Sequence, residues 1–251
     1  MVSVTQRVKQ VVQPTNGFLD PGSLTHVRFR DNELLGKESV QPSTVGSAVD
    51  YLSRLMSGDQ PGEAFMISLL GAHKAGRYSE AQGYLHRISG LDDTSIENAC
   101  KLVSFDTYFR SGTPMKKQPA DMVVDEGTCH NIRIMVQRTQ RFLDSYGPVV
   151  SNGFTMNGGY TSTINSGDGD ILTSDGLWDI KTTKSGPDKN QTLQILVYYI
   201  MGTHSVDTHF RSIKRIGLYN ARLNTADYIM VSDLDTSIIQ VVEKYVIGYR
   251  V

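Results

Sequence analysis

The spacing of apolar residues changes at Gly147-Pro148, and this change limits the fold more than any other feature of the 251-residue chain. Before it the spacing is helical. In STVGSAVDYLSRLMSG, Val45, Ala48, Val49, Leu52 and Met56 recur at helical intervals, Ser43 or Thr44 can cap the start, and Gly58 can end it. Similar patterns predict helices near 62–75, 79–89, 94–110 and 129–146, with TPMKKQPADMVVDEGT as a loop. Residues 1–42 mix short apolar stretches with turn signals and define no element.

Beyond Pro148 the text suits short strands and tight turns. Residues 149–183 are rich in Gly, Thr, Ser and Asn. A helix is expected over 189–202, where QTLQILVYYIMG is apolar around most of its circumference and so belongs in a core. RIGLYNARL and ADYIMVSDL read as a hairpin turning at Asn224-Thr225, and SIIQVVEKYVIG as a closing helix. The expected class is α/β in a single domain over 1–251. Its mainly helical part, 1–147, precedes an α/β part, 148–251.

Composition sets limits on function. The formal net charge is −1, whereas a protein that wraps duplex DNA by charge alone is strongly basic. Cys100 and Cys129 are too few for a disulfide scaffold or a cysteine-rich zinc site. No apolar run approaches the ~20 residues of a membrane span, and MVSVTQRVKQVVQ lacks the apolar segment of a secretory signal. A cytoplasmic protein is expected, with no membrane partner. The histidines show no zinc spacing; His204 and His209 read as structural or surface residues.

The stretch GDGDILTSDGLWDIKTTK, residues 167–184, carries the chemistry. Asp175-Gly176 is a strong signal for a two-residue turn, because both residues tolerate positive φ. With that loop Ser174 faces Leu177 and Asp170 faces Lys181. Since opposed residues share a face, Asp170, Asp179 and Lys181 converge on one side, with Asp168 as a neighbour. Ile171, Trp178 and Ile180 take the other. Carboxylates are hard ligands that hold Mg²⁺ while leaving positions for water and a phosphate, and an ammonium beside them stabilises charge developing on phosphorus. Scattered charges around a solvated turn are the competing reading of the same residues.

In order along the chain, Gly167-x-x-Asp170, a hairpin, Asp179-Ile180-Lys181 with Thr182-Thr183, and Gln194-x-x-x-Tyr198 resemble the PD-(D/E)xK (restriction-endonuclease-like) nuclease superfamily, in its RecB-type exonuclease branch. The likeness covers about 165–202 and, weakly, 43–57. It implies a mixed central sheet flanked by helices, with the helix at 43–57 contributing to the active site. It also implies metal-dependent hydrolysis of DNA, with Mg²⁺ or Mn²⁺ held by Asp170, Asp179 and the Ile180 main-chain carbonyl. Lys181 would serve the attacking water, and Gln194 and Tyr198 would place the nucleic acid. Where the branch has Gly-x-x-x-His upstream, this chain has Gly46-x-x-x-Asp50, so Asp50 is the expected further ligand; Glu97 and Glu63 are other candidate acids. Lys184 and Lys189 flank the motif, and Lys116-Lys117 and Lys214-Arg215 are further basic pairs. An alternative is a catalytically silent module of the same fold that binds nucleic acid, or a protein partner through the helical half, in a larger nuclease or phage-defence assembly.

Overall fold

The computed structural model describes residues 2–114 and 118–250, so the Lys116-Lys117 pair lies outside the described residues. In chain order its elements are α1 (Val4–Gln10), β1 (Thr25–Arg28), α2 (Pro42–Met56), α3 (Pro61–Ala64), α4 (Met66–Lys74), α5 (Tyr78–Leu85), α6 (Asp93–Val103), α7 (Asp106–Arg110) and α8 (Glu126–Tyr146). β2 (Val149–Thr155), β3 (Asp168–Thr173), β4 (Gly176–Lys181), α9 (Lys189–Thr203), β5 (Arg215–Asn220), β6 (Thr225–Met230) and α10 (Thr236–Val241) follow. They form two compact units, Asp31–Arg141 and the pair of segments Met1–Arg30 and Phe142–Val251.

The first unit is helical. α2 buries Val45, Ala48, Val49 and Leu52, the residues its periodicity singles out, while Met56 is partly exposed. The helix expected over 94–110 breaks between α6 and α7, because Phe105 turns fully into the core there. Buried Asp106 then accepts hydrogen bonds from Tyr51 Oη and Ser68 Oγ, both at 2.6 Å. Gly71 lets α4 come close at this point: a Cβ would lie 2.1 Å from the Phe105 carbonyl oxygen. The helix expected over 62–75 likewise divides, at buried Phe65.

The second unit is α/β. Its described strands form one mixed six-stranded sheet in the order β1-β6-β5-β4-β3-β2, with β4 and β5 parallel and the other neighbours antiparallel. Residues 1–30, which carry no clear signal in the sequence, supply α1 and the edge strand β1. Both faces of the sheet are covered. On one, Leu172, Leu177, Ile216 and Leu218 pack with Leu193, Leu196 and Val197 of α9 and with Val4 and Val8 of α1. Asp188 starts α9 with a reciprocal capping box to Gln191, a stabilisation of about 1 kcal/mol. On the other face Trp178 is enclosed by aromatic rings: Phe142 meets it edge-on at 4.9 Å and Tyr146 at 5.0 Å, and Phe142 stacks on Tyr219 at 4.1 Å.

Two turns differ from their sequence signals. In the β3–β4 hairpin Ile171 faces Trp178 and Leu172 faces Leu177, so the loop is Ser174-Asp175, not Asp175-Gly176. Gly176 opens β4 with no positive φ; it is needed for room, since a Cβ there would lie 2.4 Å from Trp178 Nε1. Asp175 anchors the turn, its carbonyl accepting from the Lys214 and Arg215 amides and its carboxylate from Arg215 at 2.6 Å. The β5–β6 loop spans 221–224, and Asn224 takes the left-handed conformation at φ 55°. The closing helix also departs from expectation, passing into a π-turn over Val242–Ile247 that ends at left-handed Gly248.

Candidate functional site

The observed hairpin is shifted by two residues from the register expected of the sequence. A two-residue shift preserves faces, since side chains alternate with period two. Asp170 therefore stands across from Asp179, not Lys181, yet Asp170, Asp179 and Lys181 still share one face. That face is the one α9 covers, so the cluster sits at the edge of a hydrophobic layer. Next along β3 from the Ile171–Trp178 pair, the Asp170 carboxylate itself accepts the Ile180 amide, at 2.7 Å. This bond holds one carboxylate against the backbone that carries the other.

Asp179 is only 3% exposed. An unpaired carboxylate that deep would be costly, and the Lys181 ammonium pairs with its Oδ2. Gln194 on α9 links the two. Its Oε1 accepts from Lys181 Nζ at 3.3 Å, while its Nε2 donates to Asp179 Oδ1 at 3.4 Å and to Tyr198 Oη at 2.9 Å. The residues four apart on α9 thus meet side by side, as helical geometry requires. Burial alone would lower the Lys181 pKa, and it is the largest single influence. The Asp179 and Asp170 carboxylates together outweigh it and hold the ammonium protonated above its ordinary range. The Tyr198 hydroxyl is pushed well up, first by burial and then by the charges of Asp179, Asp170 and Asp168, and stays neutral.

Other residues marked in the sequence have local employment. Asp50 belongs to the helical unit, where Arg54 binds both its oxygens, at 2.8 and 3.0 Å. Glu97 pairs with Lys101, and Glu63 caps α3. Asp168 is exposed at the start of β3. Lys184 and Lys189 are exposed around the β4–α9 connection, whereas Arg215 pairs with Asp175. His204 pairs with Glu243 and stacks on Tyr249, and His209 pairs with Asp207. Gly167 is required for packing: a Cβ there would lie 2.8 Å from Val4 of α1. Asn220, which no motif marks, stands beside Lys181 in the parallel β4–β5 register. No spacing signal reveals it, because the two residues are far apart in sequence and meet only through the crossover.

Among the described residues no group of three or more His, Cys, Asp or Glu side chains gathers around one point. A cation here would rest on Asp170, Asp179 and the Ile180 carbonyl, with water completing the shell. This sparse, all-oxygen set fits Mg²⁺ or Mn²⁺, which bind through one or two carboxylates and keep several waters. It lacks the His and Cys ligands around which zinc sites are usually built. The cluster also lies by the carboxyl ends of the parallel pair β4 and β5, where open α/β sheets generally bind ligands. No helix among the described residues is long and apolar enough to cross a membrane. Compared with known proteins, the chain matches no family model, no curated protein and no solved structure.

Proposed function

We propose that the protein is a Mg²⁺- or Mn²⁺-dependent nuclease that hydrolyses phosphodiester bonds of DNA, with a restriction-endonuclease-like core. One observation carries the reading: a buried carboxylate, Asp179, is bound to Lys181 and Gln194 on the same face as Asp170. Asp170, Asp179 and the Ile180 carbonyl would hold the ion. Bound there, the ion supplies Lewis-acid polarisation of the phosphoryl group and a lowered pKa for water.

The chain's own residues do the remaining work. Lys181, kept protonated, is a fixed positive charge that orients the attacking water and stabilises charge developing on the phosphate oxygens. Gln194 fixes the ammonium against Asp179, so little reorganisation is needed when substrate arrives. Tyr198 stays a neutral hydrogen-bonding group and, by accepting from Gln194, helps to fix that side chain. The α9 layer lowers the local dielectric and strengthens each of these interactions.

The test is hydrolysis of labelled single- and double-stranded DNA, with RNA alongside, in Mg²⁺ or Mn²⁺. Cleavage should fall by at least about 100-fold in Asp179→Ala and Lys181→Ala. Variants that cut as well as the parent would sink the assignment. Calorimetric titration with Mn²⁺ helps to separate the silent-module alternative, which predicts no cleavage and does not require metal uptake.

A further inference from the structure

Asn220 ends β5 beside Lys181 and is 4% exposed. Its amide is fully used. Nδ2 donates to the Thr183 carbonyl at 3.0 Å, to Thr183 Oγ1 at 2.9 Å and to the Ser185 carbonyl at 3.2 Å. Oδ1 accepts from the amides of Arg222 at 3.0 Å and Leu223 at 3.2 Å. All the donors therefore serve the β4–α9 connection, and all the acceptor capacity serves the β5–β6 loop. Two further bonds run the same way: Arg222 Nε donates to the Thr182 carbonyl at 2.8 Å, and the Ala221 amide to the Lys181 carbonyl at 2.8 Å. A primary amide carries two N–H donors and a carbonyl acceptor, so it can donate to one loop and accept from the other at once.

The clamped segment joins the two halves of the candidate site. It begins at Lys181, on β4, and leads into α9, which carries Gln194. The contacts between those halves, 3.3 Å from Lys181 to Gln194 and 3.4 Å from Gln194 to Asp179, sit at the long end of the hydrogen-bond range. A displacement of a few tenths of an ångström would break them. We propose that Asn220 is a positioning residue, which holds the β4–α9 connection so that Lys181 and Gln194 meet. The kinetic part of this proposal rests on the nuclease reading; the structural part does not.

Two measurements on the full chain test it. In the first, hydrogen exchange is followed by mass spectrometry in the parent, in Asn220→Ala, and in Thr183→Val, which loosens the same clamp from the loop side. Amides of 182–186, and those of 221–223 that donate into the clamp, should exchange about tenfold faster in both variants, while β3 and β4 peptides over 168–180 are unchanged. Unaltered exchange over both 182–186 and 221–223 overturns the proposal, and so does faster exchange throughout the unit. In the second, Asn220→Ala is made in the parent and in a Gln194→Ala background. Its kcat for labelled DNA should fall about tenfold in the parent and not further in the second background. An equal loss in both backgrounds overturns the proposal, because a merely structural role would lower both alike. A parent that cuts nothing sinks the nuclease reading alone, and the exchange result then decides the clamp.

Discussion

Asp179 draws its character from its neighbours more than from its type. It is a carboxylate in the interior, and the ammonium that compensates it comes from two residues along the same strand. Removing that ammonium leaves the charge uncompensated. Lys181→Met is expected to destabilise the metal-free protein by about 3 kcal/mol, read as a lower urea midpoint, and Asp179→Asn added to it should restore much of the loss. A double variant no more stable than Lys181→Met would show that the pair is energetically inert. A second carboxylate has a simpler part. The Arg138 guanidinium, bonded to Asp31 at 2.7 Å, holds the Asp31 carboxyl below its ordinary range, with the amide of Glu33 adding to the effect. A folded-state pKa below the unfolded one gives stability that is present above the unfolded pKa and lost as pH falls through the folded one. The stability gap between the parent and Asp31→Asn should thus be full at pH 7 and close as the pH drops below about 4. Urea midpoints at several pH values would measure it, and a gap that does not narrow as the pH falls below about 4 would contradict the assignment.

At the scale of elements, the β3–β4 hairpin is held by packing more than by turn chemistry. Its Asp-Gly pair advertises a loop one residue later than the one formed. The aromatic layer decides otherwise, because Trp178 must lie over Gly176 and edge-on to the stacked rings of Phe142 and Tyr146. Gly176→Ala is expected to cost about 1–3 kcal/mol through the clash with the indole, and Trp178→Ala about 3–5 kcal/mol through the cavity it leaves. Thermal or urea unfolding of both variants checks this; a neutral Gly176→Ala would mean the turn can relax without the indole. Helix α9 was legible because its apolar residues surround it and its capping box is local. Gln194 and Tyr198 were legible for a related reason: a four-residue interval on a helix is a spatial contact. Strand β1 was not, since its pairing with β6 spans about two hundred positions of sequence.

For the molecule as a whole, the nuclease proposal makes net charge the constraint on how it would meet a polyanion. A chain of net charge −1 has no surplus to spread along DNA, so binding should depend on a few local cations. Asp179→Asn, which is expected to bind without cutting, should show a shallow salt dependence on single-stranded DNA. A slope of log K against log salt of about −2, equivalent to roughly three phosphates, is expected by fluorescence anisotropy. A slope steeper than about −5 would indicate a broad basic surface instead.

What the residues determined unaided is local or periodic: the α/β class, the helical spacing of the first half, and the parity that puts Asp170, Asp179 and Lys181 on one face. Parity survives a two-residue error in register because strand side chains alternate. The tertiary structure alone decided the loop at Ser174-Asp175, the recruitment of Thr25–Arg28 into the sheet, and the place of Asn220 beside Lys181. Each of these depends on contacts between residues distant in sequence, whose energies come from burial and shape complementarity and leave no periodic mark on the chain.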